Sequence, residues 1–532
     1  MERVTIYDTT LRDGCQAEGV AFSVADKLRV AHRLDDVGAA YIEGGWPNET
    51  NPRDQEFFQR AADHDWNSAR IAAFGSTRRG NVAPEDDSQL QDLVDSKAPV
   101  ITIFGKAWNF HATDVLRVSL DENLAMIEDS IAYLKTHRDE VIFDAEHFFD
   151  GYKADAEYAI EALRAAHRGG ADALVLCDTN GGCLPDEITR MVALVTSEFD
   201  IPIGIHCHND GGLAVANSVA AVQAGCSHVQ GTVNGYGERA GNANLCVIVP
   251  NLELKLGLRC LPEGRLGEIA DLSRFTDEVA NIAPDGRQPF VGASAFAHKG
   301  GMHVNAVLKN PTSFEHIEPE LVGNERRILV SDYSGSSTIA HKLQKIWPDI
   351  DRKDPIVGAV LERVKHLEKD GYEFEAAEAS FELLARRLRE NLMPPFETEG
   401  YRVNIYKVDE NAPPFAEATV KVSVGDKVVH TAGEGAGPIN ALDNALRKAL
   451  TELFPKIARM TLTDYKVRVL RADEGTAGTV RVLVETSDGK ESWGTVGVHE
   501  NIIEASWEAI IDSLTYGILK NGVSGGTGHQ EA

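Results

Sequence analysis

The chain has 532 residues, 43% hydrophobic and 25% charged, an ordinary globular composition at a length that suggests more than one domain. Its 82 acidic and 53 basic residues give a formal net charge of -29, which argues against nucleic acid or anionic membrane as a general partner and leaves an anionic substrate in need of a local positive centre. No signal-peptide pattern opens the sequence and no run approaches the ~18 apolar residues of a membrane span. The seven cysteines, none in a C-x-x-C pair, suit free thiols in a reducing cytoplasm.

Over about the first 260 residues, eight short β-rich runs alternate with amphipathic helical stretches: 4–8, 41–44, 70–74, 100–104, 140–143, 173–177, 203–206 and 228–232. Helices are expected over 24–37, with Ser23 as N-cap and Gly38 as stop, over 121–138, and over 211–224, closed by Gly225. A doubly wound open sheet also alternates β and α, but eight units in a stretch of this size match an α/β (β/α)₈ TIM barrel, expected over 1–265.

From 266 to 395 the strand signal fades and helical pattern dominates, notably at 266–281, 336–347 and 354–391, so this stretch reads as a helical connector. Met393-Pro394-Pro395 marks its end. A C-terminal α+β domain is expected over 396–525, followed by a flexible tail, 526–532. It holds an internal repeat: Tyr401-Arg-Val-Asn-Ile-Tyr returns as Tyr465-Lys-Val-Arg-Val-Leu 64 residues later. Each copy predicts three strands and a helix, with strands at 418–424 and 427–432 in the first, 479–486 and 491–498 in the second, and helices at 438–453 and 502–519. No catalytic constellation is visible there, which points to binding or regulation.

In a barrel of this type the chemistry sits at the C-terminal ends of the strands. The first strand is followed by Asp8-Thr-Thr-Leu-Arg-Asp-Gly14, the seventh by His206-Cys-His208-Asn-Asp210, and the eighth by the glycine-rich Asn234–Asn242 loop. Taken singly, each has a plain structural reading: a surface ion pair, incidental histidines, an anion-friendly helix start. Taken together, they fall on neighbouring strands of a closed barrel, so Asp13, His206, His208 and Asn242 can converge on one point. His206 and His208 share one side of their strand and Cys207 faces the other. One carboxylate, two imidazoles and an amide oxygen suit Mn²⁺, Mg²⁺, Zn²⁺ or Co²⁺ with positions left for substrate. Further polar strand ends are Glu43-Gly-Gly-Trp-Pro-Asn48, Asp144-Ala-Glu146-His147 and Asp178-Thr179-Asn180.

Asp8–Gly14 with Gln16 resembles the D-T-T-L-R-D-G-x-Q signature of the DRE-TIM metallolyase superfamily. His206–Asp210 resembles its H-x-H-N-D metal motif, and Asn234–Asn242 the N-G-x-G-E-R-x-G-N stretch of its acyl-CoA-condensing branch, the 2-isopropylmalate, homocitrate and citramalate synthases. The resemblance covers nearly the whole chain, the C-terminal part being similar to the LeuA-type regulatory and dimerisation domain. Stretches 42–48 and 143–152 resemble the longer-chain citramalate synthase group, while Cys15 stands where many relatives carry Glu or Ala.

The resemblance implies a metal-dependent acyltransferase that condenses acetyl-CoA with pyruvate and water to give citramalate and CoA, at the entry to isoleucine biosynthesis. It implies Asp13, His206, His208 and Asn242 as metal ligands. Arg12 would stand beside the keto oxygen, Glu43, Glu146 and Thr179 in the substrate pocket, and Glu146 with His303 in proton handling. His298 is the weaker candidate and reads as structural. A homodimer with an isoleucine effector on the C-terminal domain is expected, the glycine-rich 433–438 stretch being either its carboxylate site or a tight turn. The rival readings are a 2-isopropylmalate synthase acting on 2-oxoisovalerate, a lyase of the HMG-CoA lyase kind, and a catalytically dead sensor.

Overall fold

A computed structural model describes residues 3–407, 409–411, 413–470 and 477–520; the expected tail at 526–532 lies outside the described residues. The chain divides into two compact units, Met1–Phe296 with Ile317–Arg326, and Ala297–His316 with Arg327–Ala532.

The first unit carries β1 (Thr5–Asp8), α1 (Val24–Val37), β2 (Tyr41–Gly45), α2 (Pro52–Ala61), β3 (Arg70–Ser76), α3 (Ser88–Asp95), β4 (Val100–Lys106) and α4 (Leu120–Lys135). It continues with β5 (Glu140–Glu146), α5 (Phe148–Ala154), α6 (Ala156–Arg168), β6 (Ala173–Asp178), α7 (Pro185–Glu198), β7 (Ile203–Cys207), α8 (Ala214–Gln223), β8 (His228–Gly231), α9 (Leu245–Leu256) and α10 (Ile269–Ala280). The strands close in chain order into a parallel barrel, and β8 returns to β1 from Thr5↔His228 to Asp8↔Gly231. This is the TIM barrel the β/α alternation predicts.

Two apolar layers hold it. The larger lies between strands and helices and includes Val30, Leu34, Ile101 and Leu174. The smaller, with Tyr7, Ala72, Val100, Ile142 and Val175, is made of alternate residues on the other side of the strands and fills the barrel interior. Local signals set the helix ends. Ser23 Oγ accepts from the Asp26 N–H at 3.2 Å, Asp26 returns the contact to the Ser23 N–H, and Gly38 closes α1 at φ 99°.

Three helical expectations are corrected. The helix expected from 211 begins at Ala214, because Gly211 and Gly212 are used in a turn whose Gly212 has φ 72°. The helix expected from 266 starts as a 3₁₀ turn, Arg265–Glu268, before α10. The single helix expected over 354–391 is two, separated at Gly371, whose φ of 110° no helix tolerates.

The second unit opens with β9 (Ala297–His298), α11 (Gly301–Lys309) and β10 (Arg327–Ile328), the two short strands pairing in parallel. Then come α12 (Ser336–Ile346), α13 (Pro355–Lys369) and α14 (Glu378–Glu390). Last is the repeat: β11 (Glu397–Tyr406), β12 (Phe415–Val424), β13 (Lys427–Gly435) and α15 (Pro438–Thr451), then β14 (Thr461–Val469), β15 (Val480–Ser487), β16 (Ser492–His499) and α16 (Ile502–Lys520). Each copy is an antiparallel three-stranded sheet.

The repeat extends to packing detail. Thr431 Oγ1 donates to the Ala445 carbonyl at 2.8 Å, and Thr495 Oγ1 to the Ala509 carbonyl at 2.7 Å. A side chain at Gly433 would meet the Ala445 nitrogen at 2.5 Å, and one at Gly497 would meet the Ala505 carbonyl. These glycines let a helix lie close on its sheet. Gly433 and Gly435 therefore belong to strand β13, and the 433–438 stretch runs from the end of that strand to Gly437, the N-cap of α15. Among the described residues no helix is long and apolar enough to cross a membrane.

Candidate active site

The inward-facing residues at the C-terminal ends of the strands are polar, and three of them meet. Donor atoms of Asp13, His206 and His208 all lie within 4.8 Å of one another. Asp13 Oδ2 is 3.3 Å from His206 Nε2 and 4.0 Å from His208 Nε2. Asn242 joins them from the β8 loop through a bridge to His208, and all four residues are buried. Neither Asn242 Oδ1 nor its Nδ2 has a hydrogen-bond partner, and His208 Nδ1 has none. Leaving such groups buried and unpaired costs about 1–3 kcal/mol each, so the donor set fits a divalent cation coordinated by mixed N and O atoms.

At Asp13 and His208 the electrostatics support that fit, since ligands must be deprotonated. Burial alone would raise the Asp13 carboxyl, but the Arg12 guanidinium and His206 outweigh it and hold it far below the usual carboxylate range. Burial, then the charge of His206, pushes His208 down to about 4, which keeps it neutral. Burial also lowers His206, but the Asp13 contact outweighs it and the net shift is upward. Behind His206 stands a buried chain. His206 Nδ1–H donates to Gln230 Oε1 at 2.8 Å, and Gln230 Nε2–H donates to Asp144 Oδ1 at 2.9 Å. Asp144 is itself pushed up to about 7, chiefly by burial.

Arg12 is held on three sides. Its Nε and Nη2 donate to the two oxygens of Glu43 at 3.0 and 3.2 Å, Nη1 lies 3.3 Å from Asp13 Oδ2, and the guanidinium sits 3.7 Å from the centroid of Phe74. Glu43 also accepts from Thr9 Oγ1 at 2.5 Å and is fully buried. Glu43, expected on the substrate side, thus has its carboxylate engaged by Arg12 and Thr9.

These groups open on a cavity of about 220 Å³ lined on its polar side by Arg12, Asp13, Glu146, Thr179, His206 and His208. Its apolar wall is an aromatic triad. Trp46 meets Phe74 and Phe104 edge-on at 5.8 and 5.6 Å, and the two phenyl rings stack at 5.5 Å. Trp46 is fixed through its peptide N–H, which donates to Asp54 Oδ2 at 2.9 Å; Asp54 is ion-paired with the buried Lys27. Glu146 is ion-paired with Lys106. Thr179 Oγ1 accepts from the His147 N–H at 2.9 Å, and the Thr179 carbonyl accepts from Arg239 Nη2 at 2.7 Å. Trp46 and Phe104 also line a second cavity of about 840 Å³ at the ends of β2, β3 and β4.

The barrel mouth thus brings together Arg12, Asp13, Glu146, Thr179, His206, His208 and Asn242. His303 belongs to the second unit, exposed on α11 with its ring stacked on Phe314 at 4.2 Å. His298 Nε2 lies 3.0 Å from the buried Glu315, a structural engagement. Sequence reasoning missed Gln230 and Lys106. A glutamine within the short buried barrel strand His228–Gly231 is a signal that could have found the first. Lys106 was hidden because β4 runs two residues beyond the expected end, through the pairs Gly105↔Ala145 and Lys106↔Glu146.

Residues 3–275 match the HMGL-like family model, 290–371 the homocitrate synthase post-HMGL domain-like model and 375–518 the LeuA allosteric (dimerisation) domain model. The chain is 53% identical over 521 residues to the (R)-citramalate synthase of Aquifex aeolicus, covering 98% of each chain. It is 52% identical to that of Geobacter sulfurreducens, again over 98% of each. Identity to the 2-isopropylmalate synthase of Methanocaldococcus jannaschii is 30%, over 96% of this chain and 94% of that one.

Proposed function

The chain belongs to the citramalate synthase family of HMGL-like barrel enzymes, and from that premise we propose that it condenses acetyl-CoA with pyruvate and water, releasing CoA and (R)-citramalate. The observation that carries this reading is the convergence of Asp13, His206 and His208 beside the part-buried Arg12, at a cavity sized for a small 2-oxo acid. We assign Asp13, His206, His208 and Asn242 as ligands of a divalent cation. When bound, that cation supplies Lewis-acid polarisation of the keto carbonyl.

The chain's own residues do the rest. The Arg12 guanidinium, preset by Glu43 and Phe74, donates to the oxygen on which negative charge develops as the carbonyl carbon is attacked. The Thr179 hydroxyl accepts from His147, so its own proton is free to donate to the substrate carboxylate. The aromatic wall of Trp46, Phe74 and Phe104 takes the apolar end of the substrate and limits its length. Glu146, held by Lys106, faces the acetyl group. A thioester methyl is far less acidic than an imidazolium, so a placed base is required. We assign it to His303 on the family resemblance. The acyl-CoA is given the larger cavity, which meets the pocket at Trp46 and Phe104.

The LeuA-type domain supports a homodimer, and we propose isoleucine as its effector. The seven free cysteines fit the cytoplasm as the site of action. The deciding experiment is CoA thiol release by the purified protein with Mn²⁺, offered pyruvate and 2-oxoisovalerate side by side. Preference for pyruvate supports the reading. Preference for 2-oxoisovalerate keeps fold and mechanism but moves the enzyme to a larger substrate.

A further inference from the structure

Thr179 is engaged by the peptide N–H of His147, a residue whose side chain the proposed chemistry does not use. β5 ends at Glu146, and the next residue, His147, has φ 56° and ψ 32°, a left-handed backbone that side chains other than glycine adopt only at a cost. There the chain leaves the strand and begins α5, and the His147 N–H is donated to Thr179 Oγ1 at 2.9 Å. Three contacts hold the imidazole. Its Nδ1 lies 3.1 Å from Asp150 Oδ2, its ring packs 4.3 Å from that of His111, and Trp108 lies 5.7 Å away. Asp150 is steadied in turn by Asn180 Nδ2 at 3.0 Å, on the loop that carries Thr179. His111 opens a five-residue π-helix, a rare form that concentrates at functional sites.

We propose that His147, anchored by Asp150, is a positioning residue that sets the direction of the Thr179 hydroxyl proton toward the 2-oxo acid carboxylate. This rests on the reading of Thr179 as a substrate contact. The logic is one of donors and acceptors. A threonine hydroxyl can give its proton to several neighbours. Occupying one lone pair with a peptide N–H, while Arg239 fixes the Thr179 carbonyl from the other side at 2.7 Å, leaves the proton to point into the pocket. An orientation of this kind serves ground state and transition state alike, so its loss should raise KM and leave kcat nearly unchanged. The strained backbone at His147 is retained because it is the conformation that aims the N–H; histidine is among the residue types enriched there.

The test is a double-mutant cycle on the full-length enzyme. His147→Ala, Asp150→Asn and Thr179→Val are each made alone, and the first two are also made in the Thr179→Val background. His147→Ala and Asp150→Asn should each raise the pyruvate KM, by about tenfold and about threefold, with kcat within about twofold. In the Thr179→Val background neither should add a further increase. His147→Gly, which adopts the left-handed backbone freely, should recover part of the His147→Ala loss. Effects that simply add to that of Thr179→Val, a fall in kcat at unchanged KM, or a His147→Gly enzyme no better than His147→Ala would overturn the proposal. A Thr179→Val enzyme with the wild-type pyruvate KM would instead overturn the reading of Thr179. If His147→Ala does not fold, the Asp150→Asn arm of the cycle decides alone.

Discussion

Gln230 stands 2.8 Å from His206 Nδ1 and passes the contact on to Asp144 at 2.9 Å, all three side chains being buried. Because Gln230 Nε2–H is spent on Asp144, its carbonyl oxygen faces His206, which fixes the proton on Nδ1 and makes Nε2, the nitrogen turned to Asp13, the one that would hold the cation. Metal-bound histidines depend on such a partner for tautomer and ring orientation. Gln230→Leu should therefore weaken Mn²⁺ binding by about 10–100-fold, read by calorimetric titration of the purified protein. An unchanged dissociation constant would show that His206 needs no such support.

Arg12 reaches Glu43 through two nitrogens and lies flat on Phe74. Lysine keeps the charge but has neither the planar fork nor the stacking face. Arg12→Lys should lower kcat by about 10²–10³-fold, the cost of losing one donor aimed at a developing oxyanion. Mn²⁺ affinity should change little, since Arg12 is no ligand. A drop in metal affinity matching the drop in rate would mean that the arginine acts by shaping the metal site instead.

Removal of metal should abolish thiol release, and addition of Mn²⁺ after chelation should restore it. A cation bound only to the folded state also stabilises it, by about 2.7 kcal/mol at a hundredfold excess over its dissociation constant. Wild-type Tm should rise accordingly on adding Mn²⁺, and Asp13→Asn should cancel the rise, because it removes the one carboxylate of the set. A Mn²⁺-dependent rise that survives Asp13→Asn would place the stabilising site elsewhere.

The barrel was legible because its information is local and repeated. Val/Ile-rich runs buried on both faces, the Ser23 cap and the Gly38 stop each act within a few residues. The metal set was legible because two histidines two apart at the end of β7, an asparagine after β8 and an aspartate after β1 must converge once β8 closes the barrel onto β1. Other features depend on how far pairing runs or on one backbone angle. The β4–β5 ladder continues to Lys106↔Glu146, which puts a lysine on Glu146. Glu43 is engaged by Arg12 through both of its oxygens, and His147 enters the left-handed region although no glycine or asparagine announces it. The break at Gly371 was written in the sequence, but helical periodicity on either side masked it.

Asp35 supplies a test of stability apart from the chemistry. It lies buried on α1 and accepts from three successive peptide N–H groups at the approach to β3: Asn67 at 2.9 Å, Ser68 at 2.7 Å and Ala69 at 2.7 Å. Burial alone would raise this carboxyl, but the three donors outweigh it and its net shift is downward. An asparagine presents one acceptor oxygen where the carboxylate presents two, so Asp35→Asn should leave a buried donor unpaired and cost about 1–3 kcal/mol near neutral pH. The sign of the pH dependence follows from the depressed value. The wild type holds this stabilisation in full above the unfolded carboxyl value of about 3.9 and loses it as pH falls toward the lower folded value. Urea unfolding of the two proteins at pH 7, 5 and 3.5 should therefore show a gap that is constant between the first two and narrower at the third. A gap of equal size at all three would mean that the charge of Asp35 contributes nothing and that only its shape is used.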